Sequence, residues 1–414
     1  MMYPLTKMDN KVLINGLDLI DITEEFGSPL YIYDLDVIKD KYDSLLNYIS
    51  YKNLKIYFAM KANWNMDILK TLEKKGSGID AVSIGDILMA KKAGFSADRI
   101  IYTANNITEE EMDMARSQGV LINIGSLSRL KKYALKYPGT SICLRFNPDV
   151  MAGENAKVMT GGNLSKFGIL LKDAAEAKAI ADRAKIKIIG LHEHTGSGIA
   201  EAESVYQSMK NLLSIGELFP DLEFVDFGGG FKVPYAPSEK TIDYESFGKR
   251  INEIFTDFCE SYGRELQLNF EPGKYLSAQC GTLVVQVNTL KNNEGNLFAG
   301  VNAGFPQLIR PVFYGAYHHI LNLTHPDATE KKYTVVGNIC ETGDFFAQDR
   351  MIPEISEGDL LAIQNAGAYC YSMASVYNLR PLPAEVVVEQ GKARLSTAHR
   401  SFEDLVELLS GGQA

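Results

Sequence analysis

From residue 33 to residue 275 the chain repeats one pattern: a short apolar run of strand character, then a segment whose apolar residues fall at helical spacing. The eight strand-like runs are Lys55–Lys61, Gly78–Ser83, Ile100–Asn106, Val120–Gly125, Ser141–Asn147, Ile188–Thr195, Glu223–Gly228 and Leu266–Glu271. The segments between them carry helix punctuation. Asp34 is placed to cap a helix with Ile38, Tyr42, Leu45, Leu46 and Ile49 on one face. Asn65 and Gly76 bracket the next, and Thr108 with Glu111 forms a capping box. Phe247, Ile251, Ile254, Phe255 and Phe258 line one face between the seventh and eighth strands. A helix that returns the chain between two strands makes those strands parallel, and eight repeats in roughly 250 residues predict a (β/α)8 TIM-like barrel rather than an open sheet. The long glycine-bearing stretch Met151–Gly162 interrupts the rhythm and reads as a flap.

Past Gly273 the helical period disappears. Thr282–Leu290, Asn296–Val301, Lys332–Gly337, Asp359–Gln364 and Ala384–Val388 are strand-like runs without intervening helices, followed by a short amphipathic helix near Ser401–Leu409. Residues 276–414 are therefore expected to form a separate β domain, joined by the strands of residues 1–32, which include Lys11–Ile14 and Pro29–Tyr33. A chain of 414 residues is long enough for two cores.

Composition narrows the partners. A net charge of −10 and the lack of a long basic tract argue against nucleic acid and anionic membrane, leaving small molecules. Five cysteines without CxxC spacing indicate a reducing compartment and no cysteine metal site. The opening residues lack an apolar signal core and no run reaches the ~20 apolar residues of a membrane helix, so the cytoplasm is the expected location.

Barrel enzymes keep their chemistry at the C-terminal ends of the strands. Here those ends carry Lys61, Asp80 with Ser83, Asn105, Arg145, His194 with Ser197, Gly228-Gly229-Gly230 and Glu271. A lysine at a strand end can act as a Schiff-base nucleophile toward a carbonyl. Three glycines after the seventh strand expose backbone N–H groups where barrels hold phosphate, aided by the following helix N-terminus. An aldehyde that also carries a phosphate and a basic ring nitrogen would use all of these, which points to pyridoxal 5'-phosphate (PLP). Lys61 would hold the aldehyde carbon, Glu271 would keep the ring nitrogen protonated, and His194 could stack on the ring. Taken alone, His194 reads first as a core or capping histidine, and so does His192.

Seven segments, spread over nearly the whole chain, carry a resemblance. They are Tyr57-Phe-Ala-Met-Lys-Ala-Asn63, His192-Glu-His-Thr-Gly-Ser197, Asp226-Phe-Gly-Gly-Gly230, Glu271-Pro-Gly-Lys274, Leu308-Ile-Arg-Pro311 with Tyr314-Gly-Ala-Tyr-His318, Cys340-Glu-Thr-Gly-Asp344 and Asn365-Ala-Gly-Ala-Tyr369. With them the chain resembles the diaminopimelate decarboxylases, PLP-dependent enzymes of the alanine-racemase-like barrel class that complete lysine biosynthesis. The resemblance implies that Lys61 is the PLP lysine and that His194, Ser197, Gly228, Gly229, Gly230, Glu271, Gly273, Lys274 and Tyr369 also bind the cofactor. It implies that Lys274, Arg310, Tyr314, Glu341 and Tyr369 meet substrate, and that Cys340 returns a proton to the carbon that has lost CO2. It further implies a homodimer in which Cys340 and Glu341 come from the partner subunit, and no metal.

Two departures stand out. Lys274 replaces the usual arginine, keeping the charge but losing the planar fork, and Glu193 and Gly198 occupy positions where other residues are usual. Among other activities, a racemase is disfavoured because the resemblance there carries an arginine at the ring nitrogen. An ornithine or arginine decarboxylase and an inactive PLP-binding regulatory homologue stay open.

Overall fold

The computed structural model describes residues 3–150, 153, 165–199 and 201–411. The expected flap at 151–162 lies outside the described residues except for Gly153. The chain folds into two compact units. One comprises Met1–Asp40, Pro234–Lys240 and Leu276–Ala414, and the other Lys41–Val233 and Thr241–Tyr275. Two features differ from the 33–275 span: the boundary falls inside the helix Leu35–Tyr48, and residues 234–240 leave the barrel unit.

In the first unit, β1 (Thr6–Met8), β2 (Lys11–Ile14) and β3 (Leu17–Asp18) form a small antiparallel sheet of their own, and only β4 (Leu30–Asp34) enters the large β sheet. Val12, Ile14 and Leu19 nevertheless share one core with Leu30, Ile32, Val284 and Val386. Burial, rather than ladder pairing, ties the N-terminal strands to that unit.

The second unit is built on β5 (Leu54–Ala59), β6 (Gly78–Ala81), β7 (Ile100–Tyr102), β8 (Leu121–Ile124), β9 (Ser141–Asn147), β10 (Ile169–Leu170), β11 (Lys187–His192), β12 (Phe224–Asp226) and β13 (Gln267–Phe270). β10 is a short strand at the rim, paired with β9. The other eight are all parallel and close into a ring, because β13 pairs with β5 and β8 with β9. Each coincides with one of the eight runs read from sequence.

The helix ends follow local chemistry. Asp34 accepts from Asp36 N, Asn65 accepts from Asp67 N and Ile68 N, and the Thr108–Glu111 capping box is formed in both directions.

The barrel interior is filled in layers. Tyr57, Ile101, Cys143 and Phe224, one from each of four alternate strands, pack together as its floor. Two of the intervening strands carry glycine at this level. A Cβ on Gly78 would lie 2.3 Å from the Tyr57 ring, and one on Gly190 would lie 2.1 Å from the Phe224 ring.

After β13 the first unit resumes with β14 (Gly281–Asn293), β15 (Asn296–Val301), β16 (Ile320–Asn322), β17 (Glu330–Val336), β18 (Phe345–Pro353), β19 (Leu360–Gln364), β20 (Ala384–Glu389) and β21 (Lys392–Thr397). Its sheet runs β18-β17-β15-β14-β4-β20-β21, with β19 joining β14 to β16. β16, β18 and β21 have no counterpart in the sequence reading. β18 and β21 carry charged or polar residues at most exposed positions, and β16 is three residues long, so none reads as an apolar run. The closing helix Phe402–Leu409 is capped by Ser401.

Candidate active site

Side chains two residues apart on a strand share a face. The floor residues therefore predict what lies one layer higher: Arg145 above Cys143, Asp226 above Phe224, His192 above Gly190 and Asp80 above Gly78. The parallel register sets Arg145, His192, Asp226 and Asn269 side by side on four successive strands. All four are buried, as is Asp80. Glu271 follows β13 directly and Lys61 lies in the single helical turn that follows β5.

Lys61 forms an ion pair with Asp80 Oδ2. Glu271 Oε2 lies 3.0 Å from His192 Nε2, while its Oε1 has no hydrogen-bond partner among the described residues. Asp226 Oδ1 accepts from Gly228 N at 2.8 Å and so pins the glycine turn. Gly229 N donates to His194 Nδ1 at 3.2 Å, which leaves the ring proton on Nε2. A second buried cluster adjoins it: Glu193 accepts from Ser208 at 2.7 Å and from Thr195 at 3.0 Å.

Four carboxyls, Asp80, Glu193, Asp226 and Glu271, are thus gathered around two cations, Lys61 and Arg145. Burial dominates their titration. It pushes Asp80 up and Asp226 well up, and raises Glu193 and Glu271 to about 7, with Lys61 and Arg145 pulling Glu271 back. Burial and the positive charge of Arg145 and Lys61 hold His192 and His194 well below the usual imidazole range, so both rings are neutral.

The glycine turn leaves no room for side chains. At Gly228, φ is +63°, and an added Cβ would lie 2.7 Å from Glu193 O and from His194 Nδ1; at Gly230 it would lie 2.8 Å from Gly196 O. An isolated bridge between Ile199 and Phe231 ties this turn to the Gly196–Gly198 turn that carries Ser197. The expected helix N-terminus behind the glycines is absent: the next helix starts only at Tyr244, capped by Asp243. Any phosphate there would be met by the turn backbone itself. Ser83 is a helix cap, accepting from Asp86 N, so it has a structural task. Gly273 packs against Ala59 and Ala62, and Lys274, buried, opens the short helix Lys274–Ser277.

The β unit carries the remaining predicted residues. Arg310 is buried with its guanidinium 4.9 Å from the Tyr235 ring centre and 5.6 Å from that of Tyr314. Tyr369 is held at φ +56°, a conformation that a bulky residue adopts at a cost of about 1–3 kcal/mol. Cys340 is exposed, with Sγ 3.4 Å from Asn378 Oδ1, and the exposed Glu341 accepts from Tyr377 at 2.8 Å.

Residues 35–278 match the family model described as pyridoxal-dependent decarboxylase, pyridoxal binding domain. The chain is 42% identical to the diaminopimelate decarboxylase of Methanothermobacter thermautotrophicus, over 98% of this chain and 97% of that protein. The chain belongs to the diaminopimelate decarboxylases. It is also 34% identical to the Aquifex aeolicus member, over 96% of each chain. The crystal structure of the Helicobacter pylori member complexed with L-lysine superposes with a TM-score of 0.88 at 32% identity, covering 95% of this chain and all of that one.

The barrel mouth fits the cofactor in the name of the family model. It offers an amine on Lys61, a buried carboxylate oxygen on Glu271 without a partner, and a glycine turn that a Cβ would fill. His192, Asp226 and Glu271 also place one ligand atom each within 4.8 Å of one another, the one such group among the described residues. The direct His192–Glu271 hydrogen bond accounts for the approach of two of them. His192 and Asp226 are the site residues to which sequence reading gave no role. The signal was present in the strand period, which puts both on the same face as Gly190 and Phe224.

Proposed function

We propose that this chain is a PLP-dependent carboxy-lyase that converts meso-2,6-diaminopimelate and a proton to L-lysine and CO2. The observation that carries the reading is the grouping, in one barrel mouth, of the Lys61 amine, the partnerless Glu271 Oε1 and the glycine turn. The full-length similarity to diaminopimelate decarboxylases supports the substrate.

The bound cofactor supplies an electron sink for the carbon that loses CO2. Lys61 anchors it covalently, with Asp80 positioning the amine. Glu271 faces the ring nitrogen and holds the proton there. His194, kept neutral and fixed by Gly229, covers the ring. Gly228, Gly229, Gly230, Ser197, Gly273 and Tyr369 hold the phosphate end, and Lys274 adds a cation. A neutral His194 beside the ring adds no second positive charge to compete with the nitrogen proton.

Arg310 is the basis for the substrate's far end. Diaminopimelate ends in a second amino-acid head, so its pocket needs a cation for the distal carboxylate and an anion for the distal ammonium. Arg310 and Lys274 supply the first and Glu341 the second. Ornithine and lysine lack the distal carboxylate that Arg310 would meet. Tyr314, beside Arg310, flanks the same group.

Cys340 delivers the proton to the carbon freed of CO2, and it does so from the second subunit of a homodimer. Its exposure on the single chain supports that role. So does the exposed apolar surface near it, where Tyr377 and Leu379 lie on the turn against which the closing helix packs and Phe402 and Val406 are exposed on that helix. Five free cysteines support a reducing, cytoplasmic setting, and no helix of the described residues is long and apolar enough to cross a membrane.

The test is CO2 release from meso-diaminopimelate, L-ornithine, L-lysine and L-arginine, with and without PLP, in wild type and Arg310→Ala. Diaminopimelate should be preferred, and Arg310→Ala should erase most of that preference. Preference for ornithine or arginine, or an unchanged preference in Arg310→Ala, would refute the assignment. Borohydride should fix PLP to Lys61, and failure to do so with excess PLP would remove the cofactor.

A further inference from the structure

Glu271 can serve a ring nitrogen only if one carboxylate oxygen is aimed at it and the group is ionised when the nitrogen carries its proton. A buried glutamate with two rotatable oxygens and several acidic neighbours has neither property by default. Burial favours a protonated Glu271 and its charge in turn raises Asp80, Asp226 and Glu193, while Lys61 and Arg145 favour the ionised form. What distinguishes Glu271 from Asp226 is its partner. Among the described residues Asp226 has only a backbone N–H on Oδ1, whereas Glu271 has the imidazole of His192 at 3.0 Å, with both side chains buried.

We propose that His192 is a positioning residue for Glu271: its Nε2–H holds Oε2, ionised, and so presents Oε1 to the cofactor's ring nitrogen. This rests on the reading above that Glu271 serves that nitrogen.

Three observations carry it. His192 is fixed on β11 itself, in register with Arg145 and Asp226, so the donor sits on a rigid strand rather than a loop. A neutral imidazole has one N–H, and a carboxylate cannot donate, so pairing with ionised Glu271 places that proton on Nε2. Finally, His192 Nδ1 and Glu271 Oε1 both lack a partner among the described residues, so the 3.0 Å contact between the other two atoms is what orients both groups. Glycine at 190 leaves the space that the Phe224 ring fills in the floor, one layer below His192 on the same strand face.

Removing the donor should leave Glu271 harder to ionise and free to rotate. In His192→Phe holoenzyme, kcat should fall on the order of tenfold or more, as for other groups that orient a cofactor or metal partner. KM for diaminopimelate should change little. The pH midpoint of the bound cofactor's visible absorbance should move up by about one unit. PLP affinity of the apoprotein, read by quenching of the single tryptophan, Trp64, should weaken only modestly. His192→Gln, which keeps an N–H donor, should recover much of both kcat and the absorbance midpoint.

Equal impairment of His192→Phe and His192→Gln, with the absorbance midpoint unmoved in both, would overturn the inference and make His192 a packing residue. Nitrogen-15 NMR of the histidines in the wild-type apoprotein needs no variant to fold: a neutral His192 with its proton on Nε2 supports the inference, and a proton on Nδ1 overturns it. Glu271→Gln separates the two levels. If it leaves kcat and the absorbance midpoint unchanged, the assignment of Glu271 itself fails and takes this inference with it. If Glu271→Gln is impaired while His192→Phe matches wild type, only the inference fails.

Discussion

At the scale of single residues, the buried carboxyls make stability depend on pH in a direction that can be stated. Glu193 is wholly buried and its pKa is raised from 4.5 to about 7, first by burial, with Ser208 and Thr195 opposing. A carboxyl raised on folding adds stability below its unfolded value and loses it as pH climbs through the folded one. The apoprotein should therefore lose on the order of 3 kcal/mol from this group between about pH 4.5 and 7. Glu193→Gln should remove that part of the slope, measured as urea midpoints across a pH series. A variant that loses stability with pH as steeply as wild type would show that Glu193 titrates near its ordinary value. In the proposed active site, Glu271→Ala should lower kcat by at least tenfold while weakening PLP binding far less, because the proposed ring-nitrogen contact matters most as negative charge develops. Comparable losses in both would make Glu271 a cofactor anchor instead. Lys61, His194 and Glu271 were legible as candidates because of the company they keep in the sequence, a glycine triplet and several family motifs, since each alone has an ordinary structural reading. His192 and Asp226 were not, since each has an ordinary buried role until its neighbours are known.

Among elements, the helix pair that flanks β5 gives a prediction with a definite sign. Gly248 lies within the helix Tyr244–Tyr262, where replacing glycine by alanine normally stabilises by about 1 kcal/mol. Here a Cβ would lie 1.8 Å from Tyr48 O, the end of the preceding helix Leu35–Tyr48. Gly248→Ala should instead destabilise, by about 1–3 kcal/mol, the range for overpacking a tight contact. Chemical denaturation checks it, and a stabilised variant would mean that the two helices slide apart freely. Helix starts were readable from sequence because caps are local: Asp34, Asn65, Thr108 and Ser401 each satisfy N–H groups two or three residues away. The glycine turn was not. Nothing local in Gly228-Gly229-Gly230 says that the next helix waits until Asp243, because the intervening residues leave the barrel unit.

For the molecule as a whole, the proposed homodimer has two consequences. Sedimentation should give about twice the 45.8 kDa of one chain. Mixing Lys61→Ala with Cys340→Ala subunits should restore part of the activity that each lacks, because one mixed site of every pair would hold both intact residues. Mixed dimers without any activity would place Cys340 on its own subunit's chemistry. The pairing also explains why a residue expected to move a proton is exposed on a single chain, beside an apolar surface of Tyr377, Leu379, Phe402 and Val406.

The sequence by itself determined the eight-strand barrel, the change to β structure near Gly273 and the residue types of the site, since period, caps and turn chemistry act over a few residues. Tertiary structure alone decided that Thr6–Asp18 forms its own sheet, that 234–240 joins the β unit, and that His192 meets Glu271 across 79 positions of chain. It also decided the protonation of the cluster. Strand period tells which side a residue faces, but the register that sets Arg145, His192, Asp226 and Asn269 in one layer, and the burial that raises their carboxyl neighbours, exist only once the ring of strands has closed.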